Sequence, residues 1–156
     1  MLFALLFTAC THDSTLGAQM RSRMDEVRAE VADHRRDIDG ASTMGEVDQM
    51  ESDHHDAMEV LMQDMSGMMS SMMGCNMEED MMGAMMDADE HMGQMSDEVV
   101  GHKVAQAEHT EMADCMTEEG SYESAMAEHL DAMSDTMDGF DGSANCSGGS
   151  GGMGMM

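Results

Sequence analysis

The sequence predicts an all-α protein, an up-down-up-down four-helix bundle made of two duplicated αα-hairpins. Three observations predict it. The chain has no Pro and few aromatic or β-branched residues, which removes the usual strand formers and leaves helix as the natural element. Its apolar residues recur at alternating spacings of three and four over long stretches, as on the seam of an amphipathic helix. Sliding the chain against itself by 75 residues, without a gap, places His34 on His109 and His54 on His129. The same shift places Asp56, Ala57, Met58 and Met62 on Asp131, Ala132, Met133 and Met137. Such a match marks a duplicated unit. Two other arrangements fit the same pattern: a dimer of two-hairpin chains sharing a bundle, and a chain that orders only when it binds metal.

The first helix follows from Met20, Met24, Val27, Val31, His34 and Ile38, spaced 4, 3, 4, 3, 4. A turn is expected at "DGASTMGE", where Gly40 and Gly45 are breaker signals. The second seam runs through Val47, Met50, His54, Met58, Leu61, Met65, Met68 and Met72. Met92, Met95, Val99, His102, Gln106, His109, Ala113 and Met116 form the third, "TEEGS" supplies a second turn, and Tyr122, Met126, His129, Met133, Met137 and Phe140 form the fourth. The repeats then span about 20–65 and 95–140 within a bundle of 18–140, joined by a Met-rich connection at 66–94. A flexible Gly/Ser/Met tail follows at 141–156.

The N-terminus has a different character. "MLFALLFTAC" is an apolar run ending in small residues before a cysteine, and Phe7-Thr8-Ala9-Cys10 resembles the lipobox of bacterial lipoproteins. The resemblance implies a signal peptide at 1–9, a lipidated Cys10 as mature N-terminus, a short linker to 17, and an outer-membrane anchor facing the periplasm or cell surface. No other apolar run approaches the ~18 residues of a membrane-spanning helix.

Charge narrows the partners. At −27, with Arg21, Arg23, Arg28, Arg35, Arg36 and Lys103 as its only basic residues, the chain repels nucleic acid and anionic lipid and concentrates cations. The expected partners are therefore metal ions, and the membrane only through a lipid. An acidic coat suited to a salty environment would carry the same charge.

The repeated phrase suggests a site. His34 and His54 stand ten residues either side of one expected turn and His109 and His129 ten either side of the other, so antiparallel helices rising 1.5 Å per residue would bring all four into one layer. Four buried imidazoles carry eight ring nitrogens, which a Met- and Val-lined interior does not satisfy unless they share a metal. One or two turns away come Met58, Met62, Met133 and Met137, with His102 across the bundle. Thioether with imidazole suits copper, as Cu(I) or Cu(II), and Ag(I); imidazole alone also suits Zn(II), and non-covalent haem would use the same ligand types. Each of these residues also fits ordinary core packing. Thirteen of the 27 Met lie between Met62 and Met95, four times as adjacent pairs. Neighbours on a helix point about 100° apart, so some thioethers are expected to be exposed, to soft ions or to oxidants.

Other chemistries lack their residues. A carboxylate-bridged di-iron bundle needs Glu-x-x-His on two helices, and only Glu51-x-x-His54 qualifies. Cys-x-x-Cys-His, phosphate-binding Gly loops, a serine elbow and a Cys-His dyad are missing from the sequence, so no enzyme is expected. Cys75 and Cys146 fall at the bundle end away from the turns and could form a disulfide. Cys115 falls near the second turn as an odd thiol, a soft-metal ligand or an intermolecular partner.

The Met- and His-rich helices resemble those of bacterial periplasmic copper- and silver-binding proteins, and "HHDAM" at His54–Met58 is similar to a signature of periplasmic four-helix domains linked with copper. The resemblance implies lipid-anchored binding or sequestration of copper or silver without turnover. A structural acidic lipoprotein with a Met-filled core, and a methionine oxidant sink, are the alternatives.

Overall fold

The computed structural model describes residues 16–74 and 79–138, and these form four α-helices and no strand. The helices are α1 (Leu16–Gly40), α2 (Met44–Met73), α3 (Glu79–Glu108) and α4 (Met112–Asp138). Their main contacts are α1 with α2, α2 with α3, α3 with α4 and α4 with α1, the ring of a four-helix bundle. Side-chain contacts give the direction of neighbours. Along α1, Arg21 reaches Met137, Arg28 reaches Asp131 and Arg35 reaches Met116, so α4 descends as α1 ascends. Cys10, Cys75, Cys146 and the tail lie outside the described residues.

The first turn is sequence-encoded. Thr43 caps α2, accepting a hydrogen bond at Oγ1 from the Glu46 amide, and the Glu46 carboxylate accepts in return from the Thr43 amide, 3.1 Å away. This reciprocal box satisfies donors that a helix start would otherwise leave bare. The seam of α1 is buried at every expected position, Met20, Met24, Val27, Val31, His34 and Ile38.

The second turn is not where the sequence put it. It occupies residues 109–111, between Glu108 and Met112, and "TEEGS" lies inside α4. Two features explain this. Thr117 and Ser121, read as turn residues, bond their hydroxyls back to the carbonyls of Ala113 and Thr117, a helix-compatible use of the side chain. Gly120 is a notch rather than a breaker: a Cβ there would lie 3.3 Å from Nη1 of Arg35, whose guanidinium crosses to donate to the Met116 carbonyl at 2.9 Å. The two turns, at residues 41–43 and 109–111, stand 68 residues apart rather than 75. That shift pairs His34 with His102, Glu51 with Glu119, and His54 with Tyr122.

The Met-rich segment 66–94 is likewise not a connection. It extends α2 to Met73 and begins α3 at Glu79, and its methionines supply much of the core: Met69, Met72, Met85 and Met92 join Met65, Met95, Met126 and Met133 in one cluster. Adjacent pairs split as the 100° rotation requires. Met72 and Met85 are buried while Met73 and Met86 are 44% and 65% exposed. A separate small cluster, Ile38, Val47 and Cys115, sits near the turns, so Cys115 is a packed core residue with its thiol pushed further up by burial, not an exposed partner.

The two turns yield a direct test. Thr43→Ala removes a cap and should cost about 1 kcal/mol, whereas Thr117→Ala, inside a helix, should change stability by no more than a few tenths, about the scale of a propensity difference. Urea unfolding of the two variants reads this, and a cap-sized loss at Thr117 would restore the turn at "TEEGS".

Candidate metal centre

Between the turn-end cluster and the methionine core, each helix places a polar residue on its inward seam. On α1, His34 stands between Val31 and Ile38; on α2, Glu51 follows Val47; on α3, His102 precedes Gln106; on α4, Glu119 stands between Cys115 and Tyr122. Glu119 has no exposure at all, and His34 and His102 are 3% and 2% exposed. One ligand atom from each of the four falls within 4.8 Å of the others.

The contacts alternate between nitrogen and oxygen. His34 Nε2 lies 3.3 Å from Glu51 Oε1 and 3.3 Å from Glu119 Oε2. His102 Nε2 lies 3.3 Å from Glu51 Oε2 and 3.4 Å from Glu119 Oε2. A charge-assisted N–H···O bond would be shorter, about 2.7–2.9 Å. None of these nitrogens and oxygens makes a hydrogen bond of acceptable geometry. They converge on a shared interior point instead of pairing off. Ligand atoms around a tetrahedral ion with bonds near ~2.0–2.1 Å are separated by about 3.3–3.4 Å, the spacing of the four nitrogen–oxygen contacts, in which Glu51 presents one oxygen to each histidine.

Flat partners hold the two imidazoles. His34 stacks on His54 with ring centroids 3.9 Å apart and 6° between planes, and His102 stacks on Tyr122 at 4.1 Å and 10°. His54 is held in turn, its Nδ1 3.0 Å from Glu30 Oε1 and its Nε2 3.2 Å from the Tyr122 hydroxyl. A neutral ring satisfies both contacts by donating from Nδ1 to the carboxylate and accepting from the phenol. Fixing a ligand's neighbours this way orients the ligand itself.

Electrostatics separates the histidines into two kinds. Burial works against charge on His34 and His102, but their contacts with Glu119 and Glu51 outweigh it and raise both to about 9. Burial likewise opposes charge on Glu51 and Glu119, and the two imidazoles overcome it, lowering both to about 2. His54 is compensated too little: burial first, then the charge on His34, outweigh the opposing influence of Glu119 and depress it to about 3. Burial raises Tyr122, reinforced by Glu119 and Glu51. Without metal the four-residue centre is therefore two imidazoliums that each face both carboxylates, beside a neutral histidine.

The expected four-histidine layer does not form. His34 and His54 meet as stacked rings, but His54 faces Glu30 and Tyr122. His109 lies in the second turn. His129, ten residues and so ~15 Å of helix beyond Glu119, pairs with His91, their Nδ1 atoms 3.3 Å apart. The displaced turn is the cause, because it brings His102 into register with His34. Met58, Met133 and Met137 are fully buried core residues, and Met62 is half-buried beside an α2–α3 cavity. Glu51 and Glu119 were missed. Their signal was a carboxylate on a seam, together with the two identities, His-His and Glu-Glu, at a shift of 68.

Protein-family models, curated protein sequences and solved structures contain no match to the chain. The metal-free centre makes its own prediction. His34 and His102 contribute stability that is complete below the ordinary imidazole value of 6.5 and is lost as pH rises through about 9. His54 is held neutral, so its contribution is lost as pH falls from 6.5 through about 3; that of the glutamates goes as pH falls from 4.5 through about 2. The centre's share of stability should thus decline on both sides of about pH 6.5. Histidine NMR checks the assignment: His34 and His102 should be protonated at pH 8 and His54 neutral at pH 5, and the reverse order would refute it.

Proposed function

We propose that the protein binds and holds one divalent cation of borderline hardness, Zn(II) being the type that fits best, at His34, Glu51, His102 and Glu119, and that it sequesters the ion without turning over a substrate. The observation that carries this is geometric: one ligand atom from each of the four buried side chains lies within 4.8 Å of the others. Its charge suits a divalent ion: with the contacts to Glu119 and Glu51 raising His34 and His102 to about 9, and the two imidazoles lowering Glu51 and Glu119 to about 2, the buried centre is neutral. A divalent ion that displaces one proton from each ring leaves it neutral again, whereas Cu(I) or Ag(I) would leave a buried negative charge, which is costly. Cu(II) meets the charge requirement too, and nitrogen with carboxylate oxygen suits Zn(II) and Cu(II) better than soft monovalent ions. Four protein ligands supplied by four helices leave no open coordination position of the kind catalytic zinc keeps. Attachment through Cys10 to an outer membrane would place this binding outside the cytoplasm, where sequestration protects the cell.

The exposed thioethers support a second, softer capacity. Met73, Met82 and Met86 lie at the end of α2 and the start of α3, 44%, 51% and 65% exposed, and suit Cu(I) or Ag(I).

Isothermal titration with Zn(II) tests the main reading. One ion per chain should bind, with release of about two protons at pH 7.5, because both rings titrate near 9 in the free state. Affinity should therefore fall on acidification, by about 100-fold per pH unit while two protons compete. His102→Ala or Glu119→Gln should weaken binding beyond the roughly 10- to 100-fold typical of losing a supporting residue, while His129→Ala should leave it intact. Equal binding by all three variants would refute the site.

For the thioethers, Ag(I) should stay bound at pH 5 in a His34→Ala/His102→Ala double variant, since thioethers do not titrate there. Loss of Ag(I) in that variant at pH 5 would remove the second capacity.

A further inference from the structure

The four ligands are buried, so an incoming ion must cross the bundle wall. Two adjoining cavities lie between α2 and α3, of about 240 and 410 Å³. The smaller is lined by Glu51, itself one of the four ligands. The two cavities share His55, Asp56 and Lys103.

His55 is the unexplained residue there. It is 7% exposed, yet neither ring nitrogen makes a hydrogen bond. Its Nε2 lies 3.7 Å from Glu51 Oε2, on the side of Glu51 that also faces His102 Nε2. Gln106, lining the same cavity, has a buried Oε1 without a partner. Unused donors and acceptors at such depth are expensive, and an apolar side chain would pack there at lower cost. Around the openings stand the exposed carboxylates of Asp48, Asp56 and Glu59, with Lys103 as the single opposing charge. Acidic walls of this kind concentrate cations at a cleft.

We infer that the α2–α3 cleft is the route by which the cation reaches the centre, and that His55 is its transient ligand, passing it to Glu51. This rests on the metal reading above. The ion sheds water as it exchanges carboxylate oxygens at the mouth for an imidazole nitrogen inside, with the buried Gln106 Oε1 lining the way. The next ligand is close, because Glu51 Oε2 lies 3.7 Å from His55 Nε2 and 3.3 Å from His102 Nε2. A metal site needs such a path as much as it needs ligands.

Stopped-flow mixing of the metal-free protein with Co(II), read by its visible absorption, tests the route. His55→Ala and His55→Phe, the second keeping the space filled, should both slow association at least tenfold. The dissociation constant should stay within about threefold of wild type, because a transient ligand speeds arrival and departure alike. Lys103→Glu, which leaves the ring untouched, should accelerate association severalfold at low salt, an effect lost at high ionic strength. Unchanged association in the His55 variants would overturn the route. Faster association in His55→Ala would make the ring a plug, and unchanged association with faster dissociation would make it a permanent ligand; either result also overturns the relay. Absence of Co(II) and Zn(II) binding by wild type would strike the centre itself, which separates the two failures.

Discussion

Neutrality in the buried His34–Glu51–His102–Glu119 layer is the constraint on which the rest depends. Four ionisable groups inside a bundle are tolerable only when their charges cancel, and opposite charges from all four helices must therefore meet at one level. That requirement fixes the register of every helix against its neighbours. A slip of one residue on α4 would turn Glu119 away and leave two imidazoliums facing a single carboxylate. The methionine core could not impose register by itself. Thioether side chains are flexible and fill many shapes, so they supply burial without strongly choosing among packings. Burial and specification are thus divided between the two parts of the bundle.

The same division explains the surrounding rings. His34 and His102 each have one flat face covered, by His54 and by Tyr122, positions related by the 68-residue shift. The two halves differ where they might have been identical. A histidine in one half is matched by a tyrosine in the other, and the His54–Tyr122 hydrogen bond joins them across the layer. Two histidines there would offer competing nitrogens to any ion held at the centre. The tyrosine closes that side with a weakly acidic hydroxyl that burial keeps protonated.

Much of the bundle was legible in the sequence, and the site was half legible. The α1 seam could be read residue by residue because Val27, Val31 and Ile38 are scarce, unambiguous core residues among charged neighbours. Around the second turn the local signals misled. Gly120 and the polar residues beside it look like a break, but the reason for the glycine is Arg35, a residue 85 positions away. From that one displacement followed a spacing of 68 rather than 75 residues between the turns, and different histidine partners. Glu51 and Glu119 were obscured for a different reason. In a chain with 33 acidic residues a carboxylate is ordinarily a solvated one, and burial of two of them shows only once all four helices are in place.

Because the four residues of the candidate centre come one from each helix, an ion held there would be a four-way cross-link through the middle of the fold. Ligand binding that is confined to the folded state lowers the population of opened chains in proportion to free ion concentration. Proteases that attack the opened state act on that population. On the proposed reading, the supply of cation would therefore bear on the lifetime of the protein, filled molecules opening to proteases less often than empty ones.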